Sequence, residues 1–129
     1  MQYDQFLAQV RDRGEYADRH EAEFTTLVVL RILAGRLTGQ EADDLAAQLP
    51  EEVAGILTGF SGEPETFNVH EFLRRIAEVT GASQRTAQWD ASAVLSTVAD
   101  AVSGGEVNDV LTQLPSGYAV LFGQSAISG

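Results

Sequence analysis

The two histidines are the first residues whose side chains could do chemistry, because imidazole binds metals and exchanges protons near neutral pH. A two-metal site in a helical protein needs a glutamate three residues before each histidine. Ala17 and Phe67 occupy those positions before His20 and His70. His20 lies among three acidic residues, so one weak metal site is an alternative. A better explanation of the acidic residues is that they lie in the solvated first turn of a helix, where the helix dipole favours negative charge.

Nucleophilic and electron-transfer chemistry find little support in the residue types. A hydrolase serine stands in a Gly-x-Ser-x-Gly turn after a strand, and neither Ser61 nor Ser125 lies in that pattern. The chain has no cysteine, which excludes thiolate catalysis and cysteine-ligated metals. All eight basic residues are arginine, so lysine-based catalysis is excluded as well. We therefore expect no enzyme activity, no cofactor and no resident metal.

Carboxylates recur in two clusters with the same spacing, Glu41 with Asp43 and Asp44, and Glu106 with Asp109. Such groups could act as general acids and bases or bind calcium. The glutamates complete Thr-x-x-Glu and Ser-x-x-Glu capping boxes, and no calcium-binding loop sequence follows them. We therefore interpret both clusters as solvated faces of helices.

The clusters belong to an internal repeat that extends over most of the chain. Residues 39–50 read GQEADDLAAQLP and residues 104–115 read GGEVNDVLTQLP, 65 positions later. Leu30 aligns with Leu95 at the same offset. Apolar residues in both copies follow the i, i+3, i+4, i+7 spacing of amphipathic helices. The sequence predicts an all-α fold in which two tandem four-helix repeats, about eight helices, pack as one compact pseudo-twofold bundle.

The domain organisation follows from the turn formers between the helices. We predict a first repeat over 1–58, a junction over 59–66, a second repeat over 67–123 and a flexible tail over 124–129. The most apolar helix of the first repeat, around Leu27–Leu33, should be the centre of the core. Pro50 and Pro115 should each occupy the first turn of a fourth helix.

Several polar positions recur and receive structural interpretations. We expect Asp44 and Asp109 to form ion pairs at the edge of the core with an arginine of the central helix, and Arg36 is one possible partner for Asp44. Gln48 and Gln113 should bond backbone groups where the third helix meets the fourth. Trp89 is the only tryptophan, aligns with Phe24 and should pack in the core between the repeats. The alternative for Trp89, stacking on a ligand, requires an exposed cleft.

Charge limits the classes of partner. The formal net charge of −11 repels nucleic-acid phosphates and anionic lipid headgroups at long range. The local basic cluster of Arg74, Arg75 and Arg85 could recognise a phosphate, but the net charge disfavours it. No apolar run approaches the roughly 20 residues that span a bilayer. We expect a cytoplasmic protein without nucleic-acid or membrane partners.

The residues also resemble a known family. In the first copy the resemblance rests on the residues Phe6, Val10, Val29, Leu30, Leu33, Arg36, Leu37, Gly39, Glu41, Ala42, Asp44, Leu45, Gln48, Leu49 and Pro50. In the second copy they are Phe72, Val94, Leu95, Gly104, Glu106, Asp109, Gln113, Leu114 and Pro115. This pattern, over nearly the whole chain, is similar to the bacterial domain of unknown function DUF2267. The resemblance implies a small helical cytoplasmic protein and offers no catalytic residues.

Two functional hypotheses remain. The first is a non-catalytic interaction or regulatory module, an acidic scaffold whose groove or acidic face docks another protein, with Asp43, Asp44, Asp109 and Trp89 as candidate contact residues. The alternative is a small-ligand or sensor domain with a pocket at the seam between the repeats, lined by groups such as Trp89 and Gln113. Either could be a monomer or a homodimer.

Overall fold

The computed structural model describes residues 1–60 and 62–124, and that part of the chain contains eight helices and no strand. Ser61 of the predicted junction and residues 125–129 of the predicted tail lie outside it. The helices are α1 (Tyr3–Gly14), α2 (Arg19–Arg36), α3 (Gly39–Ala46), α4 (Glu51–Thr58), α5 (Val69–Thr80), α6 (Gln84–Ala101), α7 (Gly104–Gln113) and α8 (Tyr118–Leu121). The predicted all-α bundle of about eight helices is confirmed.

Side-chain caps fix where most of these helices begin. The side chains of Asp18, Thr38, Asn68 and Ser83 each accept a hydrogen bond from a backbone N–H in the first turn of α2, α3, α5 and α6. Each cap satisfies a donor that has no partner within its helix. At α3 the capping box is complete, because the Glu41 carboxylate also accepts the N–H of Thr38 at 2.8 Å.

The helices of the two predicted repeats pack against one another. Helices α1 and α5 are both 12 residues long, and α2 and α6 are both 18. Helix α1 contacts α2 and α6, α5 contacts α6 and α2, and α3 contacts α7. Helices α1 and α5 therefore each contact the long helix of their own half and the long helix of the other half, as a pseudo-twofold bundle requires. The division at 59–66 into two repeats stays a prediction from the sequence.

Helix α2 lies at the centre of the core, as its composition predicts. Val28, Val29, Leu30 and Leu33 are all 6% exposed or less, and the helix contacts α1, α4, α5 and α6. Burial of such aliphatic side chains stabilises the fold by about 1.5–3 kcal/mol each. None of the described helices is apolar over a stretch long enough to cross a membrane.

The fourth helices differ from the prediction. Pro50 is the residue that precedes α4, with an extended ψ of 145°, and so it is not in the first turn. The prediction for Pro115 is wrong because α8 begins only at Tyr118, after Gly117. Gly117 has a φ of 103°, and a Cβ there would lie 2.7 Å from Cγ1 of Val69. The close approach of Val69 and the positive φ therefore explain the glycine before α8, which is four residues long.

The described part of the junction is held against the end of α2. The N–H of Glu65 bonds to the carbonyl oxygen of Gly35 at 2.9 Å. The carbonyl oxygen of Phe67 accepts from Nε of buried Arg36 at 2.9 Å and from the Tyr118 hydroxyl at 3.0 Å. Burial is the main cause that raises the pKa of Tyr118 to about 12. Arg36 therefore anchors Phe67, the residue that follows the junction, and the pairing of Arg36 with Asp44 that the sequence suggested is wrong.

Candidate functional site

An open groove of about 450 Å³ lies between α2 and α4. Its lining combines two residues of α2 with a stripe on α4 and the start of the junction. The residues are Leu27, Arg31, Glu52, Gly55, Ile56, Gly59 and Phe60. Positions 27 and 31 are one turn apart, and positions 52, 55, 56 and 59 follow the spacing of one helix face. The groove, which we call the α2–α4 groove, therefore lies between two facing helix surfaces.

Gly55 leaves this groove open. A Cβ at Gly55 would meet no atom within 4 Å, and the residue does not have the positive φ that requires glycine. Glycine inside a helix destabilises it by about 0.5–1 kcal/mol relative to alanine. Neither the backbone nor the packing of α4 therefore explains why residue 55 is a glycine.

Phe60 forms the end of the groove where the junction begins. Its side chain is 43% exposed. The ring packs across Gly35 of α2, where a Cβ would lie 3.7 Å from Cε2 of Phe60. An exposed aromatic side chain seated on a neighbouring helix gives the groove an apolar wall without closing it. Leu27 and Ile56 are each half-buried and supply the apolar floor.

The two charged residues in the α2–α4 groove are not neutralised by the described part of the chain. Arg31 and Glu52 are exposed and form no ion pair with any residue in 1–60 or 62–124. The ion pairs of that region use other arginines, namely Arg13, Arg19, Arg74 and Arg75. The groove thus offers one cation and one anion beside an apolar surface.

The second half of the chain does not repeat the groove. At the 65-residue offset, Leu27 and Arg31 become Ser92 and Ser96, and Gly55 becomes Val120. The Ser96 hydroxyl accepts a hydrogen bond from Nη1 of Arg13 at 2.9 Å. The groove was not predicted from the sequence, because alignment of the two copies brings out the residues that they share and these residues differ between the copies. Gly55, a glycine inside the predicted fourth helix, is the one unusual residue that the sequence shows there, and it does not by itself reveal how α2 packs against α4.

The predicted acidic contact residues are exposed, and the structure brings some of them together. Asp44 accepts from Nε2 of Gln40 at 2.8 Å, and neither Asp44 nor Asp109 forms the expected ion pair with any residue in 1–60 or 62–124. Burial raises the pKa of Glu106, and the negative charges of Asp44 and Asp109 raise it further. Asp44 of the first half and Asp109 of the second therefore both lie near Glu106. The described residues contain no group of three metal-ligating side chains.

Trp89 is not a core residue, so its predicted packing role is wrong. It is 49% exposed, and Phe24, the equivalent residue of α2, is 51% exposed. The buried face of α6 passes through Ala87, Asp90 and Ala91, and this leaves Trp89 on the outer side of the helix. The indole Nε1 donates to the carbonyl oxygen of Gly14 at 2.9 Å, which fixes the ring.

A shallow recess of about 270 Å³ lies beside the indole and is lined by Arg85, Gln88, Trp89 and Ser92. This provides the exposed cleft that a ligand-stacking role requires. We call it the Trp89 recess. No described contact links it to the three aspartates that were grouped with Trp89 as contact residues.

Gln48 makes a different contact from the one expected at the helix corner. Its Oε1 accepts the N–H of Ser103, the residue that caps α7, at 2.7 Å. The Ser103 hydroxyl accepts from the N–H of Glu106 at 3.1 Å. Because Gln48 takes the N–H of Ser103, the predicted capping box is only half formed, and the carboxylate of Glu106 has no capping role.

Two of the three arginines in the predicted basic cluster form ion pairs within the part of the chain that the structure describes, and the third does not. Arg74 pairs with Glu71 and Glu78, and Arg75 pairs with Glu71 and Glu65. Hydrogen bonds from both arginines lower the pKa of Glu71 to about 2. Arg85, by contrast, forms no ion pair or side-chain hydrogen bond with the residues that the structure describes. It alone of the three remains available to an external anion.

Comparison with known proteins supports the family resemblance. The family model described as Uncharacterized conserved protein (DUF2267) matches residues 3–121, which is most of the chain. No curated protein matches the sequence. The match confirms the resemblance to this family, whose description names no activity.

Proposed function

This chain belongs to the DUF2267 family, and we propose that it is a non-catalytic docking module whose α2–α4 groove binds one amphipathic helix of a partner protein. The observation that carries the proposal is Gly55, a helix glycine that destabilises α4 and keeps the groove open without serving the fold. Helix-in-groove recognition uses such a channel between two helices to receive the apolar face of a third. We place this activity in the cytoplasm as part of the same proposal.

The lining defines the chemistry of the partner. Leu27, Ile56 and Phe60 suit apolar side chains that recur at i, i+3 and i+4 on the partner helix. Arg31 suits an acidic residue at one edge of that apolar face, and Glu52 suits a basic residue at the other. The net charge of −11 favours a partner that is basic as a whole, since opposite charge accelerates the encounter of two proteins.

The groove also supports a docking role more directly than a catalytic one. Arg31 and Glu52 are its titratable side chains, and both are exposed to solvent. General acid–base catalysis relies on titratable groups that converge on one reacting atom in a site from which water is excluded. A guanidinium and an exposed carboxylate beside an apolar wall serve recognition instead.

Site-specific photocrosslinking in the native cells tests the proposal. A benzophenone amino acid is placed at position 56 in the groove and, as the matched control, at Val120, which is 63% exposed in the second half. We expect one discrete partner from position 56 and none from position 120. The crosslinked segment, identified by mass spectrometry, should be an amphipathic helix with both an acidic and a basic residue beside its apolar face.

The segment is then synthesised and its affinity measured. Arg31→Glu should weaken binding about ten-fold, and a charge reversal in the peptide at the facing acid should restore it. A crosslink to a second copy of this chain, or an affinity that Arg31→Glu and Ile56→Asp leave unchanged, would overturn the assignment of the groove. Circular dichroism of each variant shows that the fold is retained.

A further inference from the structure

We propose that the Trp89 recess binds a small planar aromatic anion, one or two fused rings that carry a phosphate or a carboxylate. This site is separate from the α2–α4 groove and goes beyond the docking function. Its four residues lie at positions 85, 88, 89 and 92, the i, i+3, i+4 and i+7 spacing of one face of α6. They therefore line a single continuous surface.

The indole of Trp89 supplies the stacking surface. Its Nε1 donates to the carbonyl oxygen of Gly14 on α1 at 2.9 Å, so the ring is held between two helices while 49% of the side chain stays exposed. Because the ring is already fixed, a ligand that stacks on it loses little side-chain entropy on the protein. The bond also uses the only polar group of the indole, which leaves its π face for the ligand.

Arg85 supplies the charge. It is exposed, it forms no ion pair within residues 1–60 and 62–124, and the first turn of α6 contains no acidic side chain to neutralise it. The other helices of eight or more residues all have an acid in that turn. In a chain of net charge −11, a guanidinium without an internal partner one turn from an exposed indole favours a ligand that is both aromatic and anionic.

The remaining two residues limit the size and polarity of the ligand. Gln88 and the Ser92 hydroxyl make no side-chain hydrogen bond with the described residues and can bond polar atoms at the ring edge. The recess of about 270 Å³ is just below the range of about 300–1,000 Å³ of ligand pockets, which suits one ring system rather than a long chain.

The repeat provides a matched comparison within the same molecule. At the 65-residue offset, Phe24 occupies the position of Trp89, and it is equally exposed. Glu23 occupies the position of Gln88, and its carboxylate accepts from the Tyr3 hydroxyl. An acid beside the aromatic ring repels anions, so α2 should not bind the ligand that α6 binds.

Fluorescence of the single tryptophan tests the proposal on the intact protein. The probes are adenosine monophosphate and phenyl phosphate, with adenosine and inorganic phosphate as the partial ligands. We expect saturable quenching by the two aromatic phosphates at up to about 1 mM, and at least ten-fold weaker responses to the partial ligands. Equal binding of adenosine and adenosine monophosphate, or no saturable response to either aromatic phosphate, would refute the site.

Substitutions locate the binding. With ligand-observed NMR as the readout, Arg85→Gln and Trp89→Ala should each weaken the binding of adenosine monophosphate about ten-fold. Phe24→Ala and Arg31→Gln are the matched controls and should leave it unchanged. Binding that survives Arg85→Gln, or that Phe24→Ala reduces equally, would mean that the recess is not the site. Neither control depends on the existence of a docking partner.

Discussion

The side-chain oxygen Oε1 of Gln48 accepts the backbone N–H of Ser103 at 2.7 Å, joining residues 55 positions apart in the chain. This hydrogen bond connects the first residue of the Gln-Leu-Pro segment at 48–50 to the residue that caps α7. It shows why a repeated residue need not have a repeated role. Gln113, the equivalent of Gln48, makes no side-chain hydrogen bond with residues 1–60 or 62–124.

Gln48→Ala should lower the free energy of unfolding by about 0.5–1.5 kcal/mol, because the N–H of Ser103 loses its acceptor. Gln113→Ala is the matched control and should change it by less than about 0.5 kcal/mol, as an exposed residue without a bond does. Urea unfolding followed by circular dichroism measures both. Equal losses in the two variants would contradict a specific role for the contact between the halves.

Much of the fold could be predicted from local chemistry. The caps at Asp18, Thr38, Asn68 and Ser83 are features of this kind, since capping depends on residues within three positions of one another. The uniform apolar composition of α2 likewise indicated its central place. The boundary of α8 was not predictable in this way, because Gly117 adopts its conformation against Val69, a residue far away in sequence.

The sites were harder to predict because they depend on what the fold leaves unpaired. The sequence cannot show that Arg36 bonds to the carbonyl of Phe67, or that Arg74 and Arg75 pair with glutamates while Arg85 does not. Trp89 illustrates the same limit. Its size predicted burial, whereas its register on α6 turns it outward. The α2–α4 groove likewise arises from the packing of α2 against α4, which the spacing within either helix does not reveal.

Asp90→Asn should make the protein more stable at neutral pH and alter its pH dependence. Asp90 is buried and accepts from the Tyr16 hydroxyl at 2.6 Å; burial raises its pKa, the Tyr16 bond opposes that rise, and the charge of Glu21 adds to it. A carboxyl with a raised pKa in the folded state stabilises the fold below its unfolded pKa of about 4. That contribution is lost as the pH rises through the folded pKa.

The advantage of Asp90→Asn over the unchanged protein should therefore grow as the pH increases above about 4. Urea unfolding at a series of pH values measures it. The companion variant Tyr16→Phe removes the donor and should lower the free energy of unfolding at neutral pH by about 1.5–3 kcal/mol. A constant difference between Asp90→Asn and the unchanged protein across this range would show that Asp90 does not titrate as a buried acid.

Asp44→Asn should lower the pKa of Glu106, because the charge of Asp44 is one of the causes that raise it. The pKa should stay above the ordinary value, since burial is the larger cause. NMR titration of the Glu106 carboxyl measures the shift, and Asp43→Asn is the control. A larger change with Asp43→Asn would mean that the approach of α3 to α7 differs from the one described.

Gly55→Ala should stabilise the protein by about 0.5–1 kcal/mol, because the new methyl group meets no atom within 4 Å and alanine favours the helix. Urea unfolding measures the gain. Gly59→Ala is the control at the end of the same helix face. A Cβ there would lie 3.1 Å from the carbonyl oxygen of Gly55, so we expect no comparable stabilisation.

Gly55→Ala should weaken the binding of the partner segment although it stabilises the fold. The methyl group projects into the α2–α4 groove, where the docking proposal places the apolar face of the partner helix. The variant should therefore be more stable and bind the crosslinked segment more weakly, and Gly55→Leu should bind it more weakly still. Stability and binding that fall together would indicate a role for Gly55 in the fold. A gain in stability with unchanged affinity would remove the main support for the groove as the docking site.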